Sequence, residues 1–309
     1  MSIQTGDVVA QASRLPFFIV GPTAVGKSEI AAEVARRVGG EVVSADAFQI
    51  YHGLDVLTAK PDAETLRVVP HHLIGSVRLD EEMNAERFRR AATQAIESIP
   101  RPFVVGGTGL YVRALTDGLS PLPAANPQVR AHLEQCTARE LFVRLQMLDP
   151  AGAQTIDRHN KRRLVRALEI CLLTRRPASE LRSGNKESDA RGVVLFRDRD
   201  ELNERIRKRV EAMFANGVVD EVRAVSAISA TAEKAIGFRE IKARIAGEIS
   251  EAECREKVTQ ATRRYAKRQL TWFRHQTNFE PLNLTGKSSA ESIELIARKA
   301  RLFFATTND

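Results

Sequence analysis

The octapeptide GPTAVGKS, residues 21–28, satisfies GxxxxGK[ST] and stands between an apolar run ending at Val20 and an amphipathic run beginning at Glu29. The chemistry it implies is anion holding. Gly21, Pro22, Thr23, Ala24, Val25 and Gly26 form a tight loop whose N–H groups face phosphate oxygens, and the following helix adds its positive end. Lys27 neutralises phosphate charge, and the Ser28 hydroxyl is a ligand for Mg²⁺. Two more residues carry chemistry. Asp46 ends EVVSAD, where a carboxylate beside a phosphate holds metal or accepts a proton, or simply caps the turn that follows. Thr108 follows FVVGG; glycines there admit a ligand close to the backbone, or form a tight turn with Thr108 capping a helix. A hydrolase built on such a loop needs an acidic residue at the end of a second strand, and Gly106 and Gly107 in that place weigh against hydrolysis.

To share one site, Lys27, Asp46 and Thr108 need parallel strands whose carboxyl ends meet at one edge. LPFFIV reads as a buried strand, 28–38 as a helix, EVVSA as a second strand, 85–99 as a helix and RPFVVGG as a third strand. This alternation predicts an α/β fold, a P-loop NTPase-like parallel sheet flanked by helices, over residues 1–120. SPLPAANP, with Pro121, Pro123 and Pro127, breaks it. Residues 128–181 are mostly helical, with interruptions at Asp149-Pro150 and at 175–177, and the polar stretch 182–192 closes the segment. An inserted, mainly helical domain is therefore expected over 121–190. GVVLFRD restores a strand, and helices are expected over 200–216, 218–228, 238–246 and 250–275, so that 191–309 forms the C-terminal part of the core with basic helices.

Charge divides along the same boundary. Of a net +8, residues 1–120 hold 12 Lys and Arg against 14 Asp and Glu, whereas residues 121–309 hold 35 against 25. Segments 158–176 and 255–275 each carry seven basic residues against one acidic residue. A phosphate-rich polymer suits such a surface; solvated helix faces are the other reading. No apolar run approaches the roughly 20 residues of a membrane span, and MSIQTGDVVAQASR lacks the pattern of a secretory signal, so the expected compartment is the cytoplasm. Cys136, Cys171 and Cys254 are far apart and in no CxxC spacing, which indicates neither a zinc site nor a disulfide framework.

Taken together, GPTAVGKS, SADAFQIYHGLDVLTAKP, PHHLI, VVGGTGLYVRAL, GLSPLP, RRLVRALEI, KAIGFRE and RRYAKRQLTWFR resemble the bacterial tRNA dimethylallyltransferases, in order and spacing, from residue 17 to residue 274. The resemblance implies transfer of a dimethylallyl group from dimethylallyl diphosphate to the exocyclic amine of the adenosine 3′-adjacent to a tRNA anticodon, with release of diphosphate. On this reading the loop and Arg209 hold the donor diphosphate with Mg²⁺ at Ser28, while Thr23, Lys27, Asp46 and Thr108 are catalytic, Asp46 as general base. Asp46, Ala47, Phe48 and Gln49 contact the flipped-out adenosine, and Thr108 and Arg130 contact the tRNA. Arg162, Arg163, Arg166, Lys234, Gly237, Phe238 and Arg239 border the RNA or its channel. The implied partners are the anticodon stem-loop and the donor, with no membrane, for a monomer.

The chain departs from the pattern of these enzymes in places. Ala47 and Phe48 stand where Ser and Arg are usual, Leu57 where Gly is usual, and Gly75 where Asp is usual; the segment from 130 to 149 is short. Thr23, Lys27, Ser28, Asp46 and Thr108 are untouched. In RRYAKRQLTWFRH, Tyr265, Arg268, Gln269 and Trp272 fall on one helix face, with Tyr265 and Trp272 expected in the core and the cations outward. His71 and His72 read as structural or substrate-lining. Two other functions remain open: a P-loop kinase or isopentenyltransferase acting on free adenine nucleotides, for which the loop is an ATP or nucleotide site, and an RNA-binding protein with the loop as a nucleotide switch. Neither a small-molecule kinase nor a nucleotide prenyltransferase needs the basic second half.

Overall fold

Four consecutive apolar residues, Phe17–Val20, are all buried, the pattern of a strand covered on both faces. In the computed structural model, which describes residues 15–181 and 189–306, this strand lies inside a six-stranded parallel sheet. The strands are β1 (Phe17–Val20), β2 (Glu41–Ser44), β3 (His71–His72), β4 (Pro102–Gly106), β5 (Arg191–Phe196) and β6 (Glu280–Asn283), in the order β3-β2-β4-β1-β5-β6. The register pairs Val20 with Gly106 and Ser44 with Val105, so the segments that begin at Gly21, Ala45 and Gly107 leave the sheet side by side.

Alternation along the strands sends side chains to two cores. Phe17, Ile19, Phe103 and Val105 pack with the helices Lys27–Val38 and Ser289–Thr306; Phe18, Val20, Val104 and Val194 pack with Ala85–Ser98, Gly109–Thr116 and the end of Glu251–Gln276. A third cluster joins Leu54 and Leu57 to the helices Arg199–Ala215, Val218–Arg223 and Phe238–Ile245 and to Val258. β3, β6 and the helix Ser289–Thr306 have no counterpart in the sequence reading. β3 is two residues long, and β6, an edge strand, contains Pro281, which only an edge tolerates. The helix expected over 218–228 ends at Arg223, because the Ser229 N–H donates to Leu79 O at 2.7 Å and draws the chain out of helical geometry.

By contacts the chain divides into two compact units, Met1–Thr116 with Asp189–Asp309, and Asp117–Ser188. The second has helices as its regular elements among the described residues, with Leu133, Leu141, Leu145, Leu164 and Leu168 as its core. Thr137 and Glu140 form a capping box at the start of Ala138–Leu148, and Asp149 begins the next helix by accepting from Gly152 N at 2.8 Å. Residues 182–188 of the expected closing stretch, and residues 1–14, lie outside the described residues. Cys136, Cys171 and Cys254 are free thiols, the latter two buried.

The polar centre of the helical unit is Glu169, whose side chain is 0% exposed. It receives Arg130 Nε and Nη2 at 3.0 and 3.1 Å, Arg166 Nη1 at 2.5 Å and Asn126 N at 2.7 Å. Burial alone raises its carboxyl; the bonds from Arg130, Arg166 and Asn126 outweigh burial and hold it below the usual range. The stabilisation is therefore complete above the unfolded value of 4.5 and is lost as pH falls through the lower folded value. Glu169→Ala is expected to destabilise the protein by about 2–3 kcal/mol, the low side for breaking a buried pair because both guanidiniums reach solvent. Urea unfolding of the full chain at pH 7 measures this, and the difference from wild type should shrink toward pH 3.

Candidate active site

The loop after β1 is shaped by positive-φ residues and by the cations around it. Gly26, at φ 101°, precedes the helix Lys27–Val38, and a Cβ on Gly21 would collide with the carbonyl of Leu195. Ala24 also takes a left-handed conformation, φ 64°, and its carbonyl accepts Arg205 Nε at 2.8 Å. The next carbonyl, Val25 O, accepts Arg197 Nε at 3.1 Å. In a trans peptide the N–H points opposite the carbonyl, so the N–H groups of Val25 and Gly26 face away from those guanidiniums. Lys27 Nζ donates to Pro22 O at 2.7 Å, a contact that an anion would replace. The Thr23 N–H is committed elsewhere: it donates to Gln269 Oε1 at 2.8 Å.

A cavity of about 460 Å³ opens on this loop. Thr23, Lys27 and Ser28 line it from the loop, Asp46 and Gln49 from the end of β2, and Arg205, Lys208 and Arg209 from the helix Arg199–Ala215. Burial pushes the Lys27 ammonium down to about 8, with Asp46 opposing and Arg209 adding to the shift. Burial also lowers the Arg209 guanidinium, again opposed by Asp46, and its Nη2 donates to Thr58 O at 3.0 Å. Lys27, Arg205, Lys208 and Arg209 thus meet the carboxylate of Asp46 in one partly dry volume.

Asp46 is anchored by its own turn and keeps one oxygen clear of it. Its Oδ1 accepts the N–H groups of Phe48 and Gln49 at 2.9 and 3.2 Å, capping the turn, while Oδ2 takes no hydrogen bond from the described residues. Thr108 stands at the N-cap of the helix Gly109–Thr116, its carbonyl accepting the Val112 N–H at 3.1 Å, but its Oγ1 accepts the Ala47 N–H at 2.9 Å and its own N–H donates to Ala45 O at 3.2 Å. It therefore clips the turn bearing Asp46 to the end of β4. The adjacent glycines serve packing as well as ligand access. A Cβ on Gly106 would strike the backbone of Ala45, and one on Gly107 would strike the Gln269 amide, although Gly106 also lines the cavity.

The residues assigned to RNA fall into different settings. Gly237 and Phe238 are buried; Phe238 is 1% exposed among Leu54, Leu57 and Val258, so its ring serves the core. A Cβ on Gly237 would come within 3.3 Å of Leu57, so the bulk of Leu57 and the absence of a side chain at 237 fit each other. Lys234 ends the short turn Ala232–Lys234, and Arg239 is exposed. Phe48 is half-buried, 6.4 Å from the Tyr265 ring, and Gln49 Nε2 donates to Ala59 O at 3.0 Å. In the helical unit Arg130 and Arg166 are engaged by Glu169, whereas Arg162 and Arg163 are exposed. Gly75, at φ 58°, borders Lys60, which pairs with Asp55. His71 lines the cavity, its Nδ1–H donating to Val69 O at 2.8 Å, and His72 pairs with Glu41.

The sequence reading missed Arg197, Arg205, Lys208 and the role of Gln269. A signal for Arg205 was present: it precedes Arg209 by four residues, on one helix face.

The IPP transferase family model matches residues 49–276. A tRNA dimethylallyltransferase of Geobacter sulfurreducens is 44% identical over 272 residues, which cover 83% of this chain and 88% of that protein. The chain belongs to the IPP transferase family. As an IPP transferase it is a prenyltransferase, with the fold of solved relatives. The full-length tRNA isopentenylpyrophosphate transferase of Bacillus halodurans superposes with a TM-score of 0.69 at 33% identity, covering 96% of this chain and 98% of that one. A eukaryotic dimethylallyltransferase acting on tRNA reaches 0.76 at 25% identity, covering 93% and 77%. The family match begins after the phosphate loop and Asp46, so those parts of this IPP transferase rest on the geometry above.

Lys27 is an ammonium, the form that attracts an anion, below about 8 in the free protein. Pyrophosphate affinity measured by calorimetry should therefore fall as pH rises through that value. Lys27→Met should bind about tenfold more weakly at pH 7 and lose the part of the slope that wild type owes to this lysine.

Proposed function

We propose that this enzyme transfers a dimethylallyl group from dimethylallyl diphosphate to the exocyclic amine of the adenosine 3′-adjacent to a tRNA anticodon. The observation that carries the reading is the single cavity in which Lys27, Arg205 and Arg209 face Asp46. The exocyclic nitrogen attacks the allylic carbon, the bond from that carbon to the diphosphate oxygen breaks, and the nitrogen's proton passes to Asp46 Oδ2. An aromatic amine is a weak nucleophile, so the leaving group must be good. Lys27, Arg205 and Arg209, with the inward N–H groups of the loop and the Thr23 hydroxyl, meet the charge that grows on the departing diphosphate. Asp46 is held by its own turn and by Thr108, which supports its service as general base.

The donor set suits Mg²⁺ held together with a diphosphate. The Ser28 hydroxyl and the carboxylates of Asp46 and Asp62 line the cavity, all hard oxygen donors, and magnesium needs only one or two protein oxygens besides phosphate and water. Ser28 would hold it, and the bound ion supplies charge neutralisation on the leaving diphosphate.

The acceptor reading draws support from the relatives, which act on tRNA, and from the basic second half of the chain. Extrusion of the target base costs a few kcal/mol, less in a loop already unpaired. Exposed Arg162 and Arg163 supply phosphate contacts, and a tRNA acceptor accords with work in the cytoplasm. Among the described residues no helix is long and apolar enough to cross a membrane.

Incubation with labelled dimethylallyl diphosphate, undermodified tRNA and Mg²⁺ should yield labelled RNA and little label in free adenosine monophosphate. Asp46→Asn, which keeps an oxygen for the turn but cannot take the proton, should lower kcat by about 100-fold or more while donor binding stays within about threefold. Robust ATP hydrolysis without label in RNA would sink the reading. In tRNA filter binding, replacing both Arg162 and Arg163 by Ala should lower the slope of log affinity against log salt by about two; an unchanged slope places the RNA elsewhere.

A further inference from the structure

Gln269 is a buried amide, 5% exposed, on the helix Glu251–Gln276. It bonds the backbones of two different strand exits: Oε1 accepts the Thr23 N–H at 2.8 Å, and Nε2 donates to Gly107 O at 2.9 Å. Beyond Gly107 the connection continues through Thr108, whose Oγ1 holds the Ala47 N–H beside Asp46. Tyr265, one turn earlier on the same helix, hydrogen-bonds Thr108 and Gln269. The fit is close enough to dictate residue types. A Cβ on Gly107 would collide with the Gln269 amide, and a Cβ on Gly109 would collide with the Trp272 ring. GGTG at 106–109 and RQLTW at 268–272, read separately in the sequence, are the two halves of one contact.

From this continuous path we infer that Gln269 is a positioning residue, which sets the spacing between the donor loop at Thr23 and the proton acceptor Asp46. The inference rests on the prenyl-transfer reading. Only a neutral amide accepts and donates from one planar end; a carboxylate accepts alone, and an aliphatic side chain does neither. Each substrate is bound by groups other than Gln269, so its loss should leave binding largely intact. What it disturbs is the alignment of allylic carbon, amine and carboxylate, where a displacement of about 1 Å costs on the order of 100-fold in rate.

The test is steady-state and single-turnover transfer of labelled dimethylallyl groups to tRNA by the full chain, with wild type, Gln269→Leu, Gln269→Glu and Gly107→Ala, and thermal unfolding of each. The expected result for Gln269→Leu is kcat lower by about 30- to 100-fold, with KM for donor and for tRNA within about threefold. Gln269→Glu keeps the bond to Thr23 and should lose less. Gly107→Ala should reproduce the kcat loss, and the double variant Gly107→Ala with Gln269→Leu should lose no more than the worse single variant, because both break one clip. If Gln269→Leu fails to fold, Gln269→Glu and Gly107→Ala carry the same comparison. Unchanged kcat in the folded variants, or a rise in KM alone, overturns the inference while the function stands. Wild-type protein that leaves tRNA unlabelled overturns the functional reading and this inference with it.

Discussion

The crowding of buried like charge is the constraint to which the rest of this structure answers. Lys27, Arg205 and Arg209 line one cavity, and burial depresses the basicity of Lys27 and Arg209. Cations held that way repel one another until an anion arrives. The protein manages this with backbone carbonyls: Pro22 O takes Lys27, Ala24 O takes Arg205 and Thr58 O takes Arg209. The bonds to Pro22 O and Ala24 O also turn the loop's peptide planes, so two of these cations shape the loop they stand beside. The carboxylate of Asp46 opposes the downward shift of both Lys27 and Arg209.

Holding those groups in register is the work of the sheet and the long helix Glu251–Gln276. Parallel strands deliver three chain segments to one edge, but a sheet edge alone leaves the segments free to diverge. Thr108 ties the second to the third, and Gln269 ties the first to the third. The glycines at 106 and 107 are consequences of that tightness, since any Cβ there would meet backbone or the Gln269 amide. The strand end therefore cannot carry the metal-binding carboxylate of a nucleotide hydrolase, and one packing requirement separates this site from that chemistry.

The helical unit solves a related problem by a different route. Its fully buried carboxylate, Glu169, organises Arg130 and Arg166, leaving Arg162 and Arg163 to project from the same helix, Lys161–Thr174. A basic segment thus contains two kinds of arginine. Residue counts treat them alike; the engaged pair stabilises the unit, and the exposed pair is available to a polyanion.

The sequence alone determined the loop, the carboxylate and the strand-helix alternation that carries them, because these depend on local backbone propensity, on turn chemistry and on periodicity over a few residues. It also exposed the break at Pro121, Pro123 and Pro127 and the charge asymmetry. Tertiary structure decided what required distant segments to meet. Thr108 stands at the start of its helix, as a local reading allowed, but its hydroxyl is spent on Ala47, 61 residues away. Phe238, in a segment placed along the RNA channel, buries its ring in the core. β3 and β6 are too short or too polar to announce themselves, and they exist because neighbouring strands offer hydrogen-bond partners. Gln269 showed its helix face in the sequence but not its two partners, 246 and 162 residues away, since periodicity says which side of a helix is buried and nothing about what it is buried against.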